Sequence, residues 1–171
     1  MKVSTRVECG ILALTDIAMH QSEGKPVTVS SISSRQDLSM KYLEQILMVL
    51  RQSNLVRSMK GFKGGYVLTR PAKEITLRTV IDALDVTVLA DVHFQEESET
   101  PLKTIVSHQL WNPMTTYLRK FCDSITISDM MEQYRTFLSD TEGPMYYILS
   151  RIVKNIQKIK ERPVGAWYNG I

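Results

Sequence analysis

The sequence predicts a mainly α-helical fold carrying one small β-hairpin. Three observations predict it. Apolar residues recur at three- and four-residue spacing in several separate runs. The period breaks at one place, where the short β-prone runs LVRSM (55–59) and YVLTR (66–70) flank KGFKGG. Glycine, proline and capping hydroxyls punctuate the runs at the places where helices should begin and end.

In chain order, Ser4 can cap a helix opening at Thr5, with Val7, Ile11, Leu14, Ile17 and Ala18 on one face and Gly24 and Pro26 ending it. Val29 to Gln36 reads as a short helix carrying Ile32. Asp37, Leu38 and Ser39 form a turn, with Ser39 placed to cap a second helix from Met40 to Gln52. That helix sets Leu43, Ile46, Leu47 and Leu50 on one face, and Asn54 closes it. Two helices joined by a three-residue turn are a helix-turn-helix candidate. The hairpin follows, and Pro71 ends it. Thr76 can cap a helix from Leu77 to Leu84 bearing Val80, Ile81 and Leu84. Residues 85–100 are polar, acidic and without pattern, and read as a loop. Pro101 suits the first position of a long helix reaching about Cys122, which Pro113 should kink or split. Thr126 opens a helix to about Leu138. After Gly143 and Pro144, residues 145–162 carry Ile148, Leu149, Ile152, Val153, Ile156 and Ile159 at helical spacing. The final VGAWYNGI reads as an unstructured tail.

Composition narrows the function classes. The 171 residues are 43% apolar, enough for a core, and no apolar run approaches the ~20 residues that span a bilayer. The first residues lack the apolar centre of a secretory signal, so a cytoplasmic protein without a membrane partner is expected. The net charge of +3 is unevenly spread. Residues 1–70 hold ten Lys and Arg against five Asp and Glu, and residues 71–144 hold six against twelve. Such a basic first part suits contact with a polyanion. Cys9 and Cys122 lie far apart, belong to no C-x-x-C pair, and read as small buried hydrophobes. His20, His93 and His108 are scattered, and no nucleophile–base pair stands out, so no enzyme is expected.

The glycine-rich stretch 60–65 is not a nucleotide cradle. A P-loop needs Lys and Ser or Thr after its last glycine and then a helix. Here Tyr66 and a strand follow. A hairpin directly after a helix-turn-helix is instead a wing. Its tip can lie along a DNA groove, with Lys60 and Lys63 neutralising phosphates and Gly61 and Gly64 letting the backbone come close. A plain surface hairpin is the alternative.

The stretch LSMKYLEQILMVLRQSNLVRSMKGFKGGYVLTRPAKEITLRTVIDALD (38–85), with the N-terminal MK-x-ST, resembles the bacterial winged-helix family commonly called Rrf-two. The resemblance extends over residues 1–138. It implies a winged helix-turn-helix with a long dimerisation helix near 101–122, and a homodimeric, sequence-specific DNA-binding regulator, in the repressor sense. It divides the chain into a DNA-binding domain (1–85), a regulatory loop and dimerisation helices (86–138), and a C-terminal helix and tail (139–171). Carried over by position, Lys41, Tyr42, Glu44 and Gln45, with Ser39 at the helix start, would meet bases or phosphates. Ser4, Thr5 and Arg6 would contact backbone phosphate.

Iron–sulfur members of that family carry three cysteines in the loop placed here at 85–105, and this sequence has none there. No cofactor is therefore expected. The alternative is an atypical site drawing on Glu8, Cys9, His93 or His108. The branch without those cysteines includes a repressor of cysteine metabolism that works with O-acetylserine sulfhydrylase. By that resemblance the alternative function is a protein-interaction regulator in which Trp167, Tyr168, Gly170 and the Ile171 carboxylate dock into the enzyme's active site, a frayed tail being the plain reading, and sulfur metabolism is the theme it implies.

Overall fold

Helix α1 (Thr5–His20) is the spine of the core. Ser4 Oγ accepts from the Arg6 N–H at 3.3 Å at its start. Val7, Cys9, Ala13, Leu14 and Ile17 are buried along it. The molecule is a computed structural model that describes residues 4–22, 25–61, 64–90 and 100–139. It divides into two units, Met1–Met131 and Glu132–Ile171. The first contains the elements below. Of the second, the structure describes residues 132–139, the last turns of a helix. The expected helix over 145–162 and the tail after it lie outside the described residues.

Helices α2 (Val29–Gln36) and α3 (Met40–Gln52) have the bounds their periodicity predicts. Thr28 caps α2 by accepting from the Ser31 N–H at 3.1 Å. Between the helices, Asp37 takes the left-handed conformation at φ 51° and ψ 46°, which a short polar side chain tolerates. Ser33 Oγ donates to the Leu38 carbonyl at 2.6 Å and fastens the turn from inside. Ser39 holds the position before α3 but makes no side-chain cap bond, contrary to expectation. What holds α3 is its apolar face, since Leu43, Ile46, Leu47 and Leu50 are all buried.

The hairpin pairs β1 (Val56–Met59) with β2 (Gly65–Leu68), Val56 opposite Leu68 and Met59 opposite Gly65. A third segment joins it. Val27, just before α2, exchanges both main-chain hydrogen bonds with Tyr66, at 2.9 and 2.8 Å. The approach is so close that a Cβ on Gly65 would stand 2.4 Å from the Val27 carbonyl oxygen, so no side chain fits there without parting the two segments. Gln21 Oε1 accepts from the Leu68 N–H at 2.8 Å, which ties the end of α1 to the same ribbon.

Helix α4 (Leu77–Leu84) buries Val80, Ile81 and Leu84. The stretch expected to be loop after it is not wholly irregular. Val86–Leu89 forms a 3-10 turn, capped by Asp85 and anchored by buried Leu89, whose carbonyl accepts from Arg119 Nη2 at 3.0 Å. The long helix forms as α5 (Pro101–Val106), a π turn (Ser107–Trp111) and α6 (Asn112–Asp123). Pro113 neither breaks nor splits it. The proline has no N–H to donate, and its ring crowds the carbonyl four residues back. The backbone widens one turn earlier, where the Asn112 N–H reaches back five residues to Ser107.

Helix α7 (Ile127–Ser139) begins on a reciprocal cap. Thr126 N–H donates to Asp129 Oδ2 at 2.7 Å while Asp129 N–H donates to Thr126 Oγ1 at 3.2 Å. Thr76 and Thr126 face each other in an antiparallel bridge, so the starts of α4 and α7 are joined through Leu77 N–H to Ile125 and Ile127 N–H to Ile75.

Candidate nucleic-acid interface

The side of α3 opposite its buried face is solvent-exposed. Lys41, Glu44, Gln45, Met48, Arg51 and Gln52 follow one another along it at helical spacing. Lys41, Glu44 and Gln45 were expected from the sequence. Tyr42 is half-buried and packs against the core, so less of it is open to a ligand than of Lys41, Glu44 and Gln45. Met40 and Met48, 48% and 47% exposed, were not singled out from the sequence. For Met48 the signal was present, because it lies off the Leu43–Leu50 stripe, where an apolar residue has no fold reason to be; Met40 continues the stripe at i−3 from Leu43 and is exposed at the helix start. Glu44 and Lys41 sit on adjacent turns of the same face, which gives it both an acceptor and a donor.

The wing supplies Lys60, which is exposed, and Gly61, whose φ of 120° few residues with a side chain adopt. Gly64 N–H donates to the Gly61 carbonyl at 2.8 Å and closes the tip. Lys63 lies outside the described residues. At the start of α1, Thr5 and Arg6 are exposed and Ser4 is half-buried. Asp85 is their neighbour. Its carboxyl is held below the usual range, chiefly by the Thr87 hydroxyl that donates to it at 2.6 Å, with help from Ser4 and the charge of Arg6.

One buried carboxylate was missed. Asp16, on α1, is fully buried. It accepts from Arg35 Nε at 2.9 Å, Arg35 Nη2 at 2.6 Å and Gln36 Nε2 at 2.8 Å, all from the end of α2. Burial by itself pushes this carboxyl up. The hydrogen bonds from Arg35 and Gln36, and the charges of Arg35 and His20, outweigh burial and hold it below its ordinary value. A carboxylate on an otherwise apolar helix face was the available signal. The sign of the linkage follows. A carboxyl lowered on folding contributes stability that is fully present above its unfolded pKa of ~3.9 and is lost as pH falls through the folded value. Thermal unfolding followed from pH 7 to pH 3 is expected to show a steeper loss of Tm below about pH 4 in the parent than in Asp16→Asn. Parallel acid slopes would contradict the assignment.

Set against known proteins, the profile of the Rrf2 (Rrf-two) family, described as an iron-dependent transcriptional regulator, matches residues 3–133. The chain belongs to the Rrf2 family. The HTH-type transcriptional regulator IscR of Pectobacterium atrosepticum is 34% identical over 131 residues, 77% of this chain and 79% of its own length. Among solved structures, CymR, the global cysteine regulator of B. subtilis, superposes with a TM-score of 0.67 at 30% identity, covering 77% of this chain and 97% of that one. T. potens IscR gives 0.65 at 33%, covering 86% and 97%. As an Rrf2 protein the chain is a DNA-binding transcriptional regulator built on a winged helix.

The iron-dependence in the Rrf2 description calls for a test of the residues. Among the described residues, no three His, Cys, Asp or Glu side chains gather as a metal site. Cys9 and Cys122 are buried and unpaired, and burial raises both thiols, Cys9 further through Glu8 and Cys122 through Asp123. Iron–sulfur clusters are held mainly by thiolates, and the two cysteines of the sequence stand on separate helices, Cys9 on α1 and Cys122 on α6. Glu8 is exposed while Cys9 beside it faces the core, and His108 is exposed on the π turn. His93 lies outside the described residues, as do Trp167, Tyr168, Gly170 and Ile171.

Proposed function

We propose that two copies of this chain form a sequence-specific repressor that reads a pseudo-palindromic duplex. The observation that carries the reading is the exposed donor and acceptor face of α3, beside a glycine-tipped basic hairpin. In this reading residues 1–85 read DNA. Lys41 donates to guanine or phosphate, Glu44 accepts from cytosine, Gln45 pairs with adenine, and Ser39 and Tyr42 flank them. Lys60, Gly61, Lys63 and Gly64 follow the sugar–phosphate chain, and Ser4, Thr5 and Arg6 hold a neighbouring phosphate. Residues 86–138 join the copies.

Dimerisation rests on the helix over 101–123, about 35 Å long at ~1.5 Å per residue. Leu102, Ile105, Leu110, Met114, Tyr117 and Phe121 are exposed along it. Large apolar side chains exposed along one helix mark an interaction surface. A second copy is the occupant this reading commits to, because two recognition helices are what a palindrome requires. Control of sulfur metabolism is the biological theme favoured, since a structural neighbour is a global cysteine regulator.

The test is selection of duplexes from a random-sequence pool by the purified full-length protein. The expected product is a two-fold symmetric site whose half-sites lie about one helical turn apart. Binding to it should fall steeply between 50 and 200 mM salt, on the order of 10²-fold or more. Failure to enrich any sequence would end this reading.

A further inference from the structure

Asp16 has no place in the DNA contacts above, yet it is the most heavily hydrogen-bonded buried side chain among the described residues. Its three donors come from Arg35 and Gln36, the last two residues of α2. The left-handed turn at Asp37 and the start of α3 follow immediately. Asp16 itself belongs to α1, whose other end carries Ser4, Thr5 and Arg6. The clamp therefore joins the helix bearing one group of DNA-contact candidates to the hinge that aims the other.

We infer that Asp16, Arg35 and Gln36 form a positioning clamp that sets the angle of the reading helix, and so govern discrimination between sequences rather than affinity for DNA in general. The inference rests on the DNA-reading function proposed above. The chemistry suits such a task. Arg35 presents Nε and Nη2 to the two carboxylate oxygens at once, a fork that fixes direction as well as distance. Gln36 adds a third bond on Oδ2, which limits rotation of the carboxylate. On the α1 side, His20 Nδ1 lies 2.8 Å from the Asp16 main-chain oxygen and 3.6 Å from Oδ1, closing the remaining flank. A hydrophobic contact between α1 and α2 would stabilise the pair equally well but would let them slide. Bidentate pairing with a base edge tolerates little sliding, whereas phosphate contacts made by long lysines tolerate much.

A structural role and a positioning role differ in what they do to a protein that remains folded. Arg35→Lys keeps a cation but loses the fork, and Gln36→Met keeps the ion pair and loses one hydrogen bond. Both full-length variants are to be measured by fluorescence anisotropy on two probes, the duplex selected by the parent and a random-sequence duplex. The temperature is set well below each Tm, with folding verified by circular dichroism. The expected result is a drop of at least tenfold for Arg35→Lys, and about threefold for Gln36→Met, in the ratio of selected to random affinity. Affinity for the random duplex should stay within about twofold. A lowered Tm with an unchanged ratio in both folded variants overturns the clamp as a positioning device. If Arg35→Lys does not fold, Gln36→Met decides alone. A parent protein that does not distinguish the two probes signals failure of the DNA-reading proposal itself, and is recognised before any variant is compared.

Discussion

Replacing Lys41 and Lys60 together by glutamate is expected to weaken binding to the selected duplex at least a thousandfold at 100 mM salt. Both side chains are exposed, one on the reading face of α3 and one at the entrance to the wing tip. A well-formed contact from a lysine to a base edge is worth about 1–3 kcal/mol, and each phosphate contact adds close to one unit to the salt slope. In the proposed dimer both losses double. Reversal also places four carboxylates against a polyanion. Some 4 kcal/mol of combined loss is a factor of about 10³. The stability of the fold should change little, since substitutions at exposed positions usually stay within ~0.5 kcal/mol. The measurement is a titration of labelled duplex at several salt concentrations. The parent and variant lines should converge at high salt, and affinities that coincide at every salt concentration would remove these lysines from the interface.

Ile105→Glu combined with Phe121→Glu is expected to yield a folded monomer that binds the selected site at least a hundredfold more weakly. Both residues are 57% exposed in the single chain, so neither substitution strips the core of a buried side chain. In a dimer the same side chains would be covered. Burying a large apolar side chain stabilises by about 1.5–3 kcal/mol, and enclosing an unpaired carboxylate in its place costs several more. Two copies carry four such changes. Once separated, each half-site is held by one reading head, and the gain from tethering two heads disappears. Sedimentation velocity gives the mass, and the duplex titration gives the affinity. A variant that remains dimeric with parental affinity would show that this helix face is not the subunit contact.

Helices with strong local signals were legible from the chain alone. The bounds of α2, α3 and α4 agree with their apolar periodicity, and the hairpin with its change of period. Local chemistry suffices there, because burial of one stripe and a hydroxyl or turn residue at the end decide each element. Features that depend on distant partners were not legible. Nothing near Asp16 announces Arg35, nineteen positions later, and nothing near Val27 announces Tyr66. Leu89 reads as part of a polar connector until α6 supplies Arg119 to donate to its carbonyl. The response to Pro113 was a choice among kink, break and widened turn, and the surrounding helix decided for the last. Within the candidate site, the charged and amide residues of α3 could be named from the sequence. The exposure of Met40, which precedes them on the line of the buried stripe, and the half-burial of Tyr42 emerged only once the helix had a defined inward side.

The stitch between Val27 and Tyr66 bears on how such a protein leaves its target. The residue that introduces the two-helix reader is sewn to the ribbon behind it, and the end of the first helix is sewn there as well through Gln21. Three hydrogen bonds thus tie the root of the ribbon to the reader. In the proposed complex the two are expected to move together, each reading head leaving the duplex in a single step.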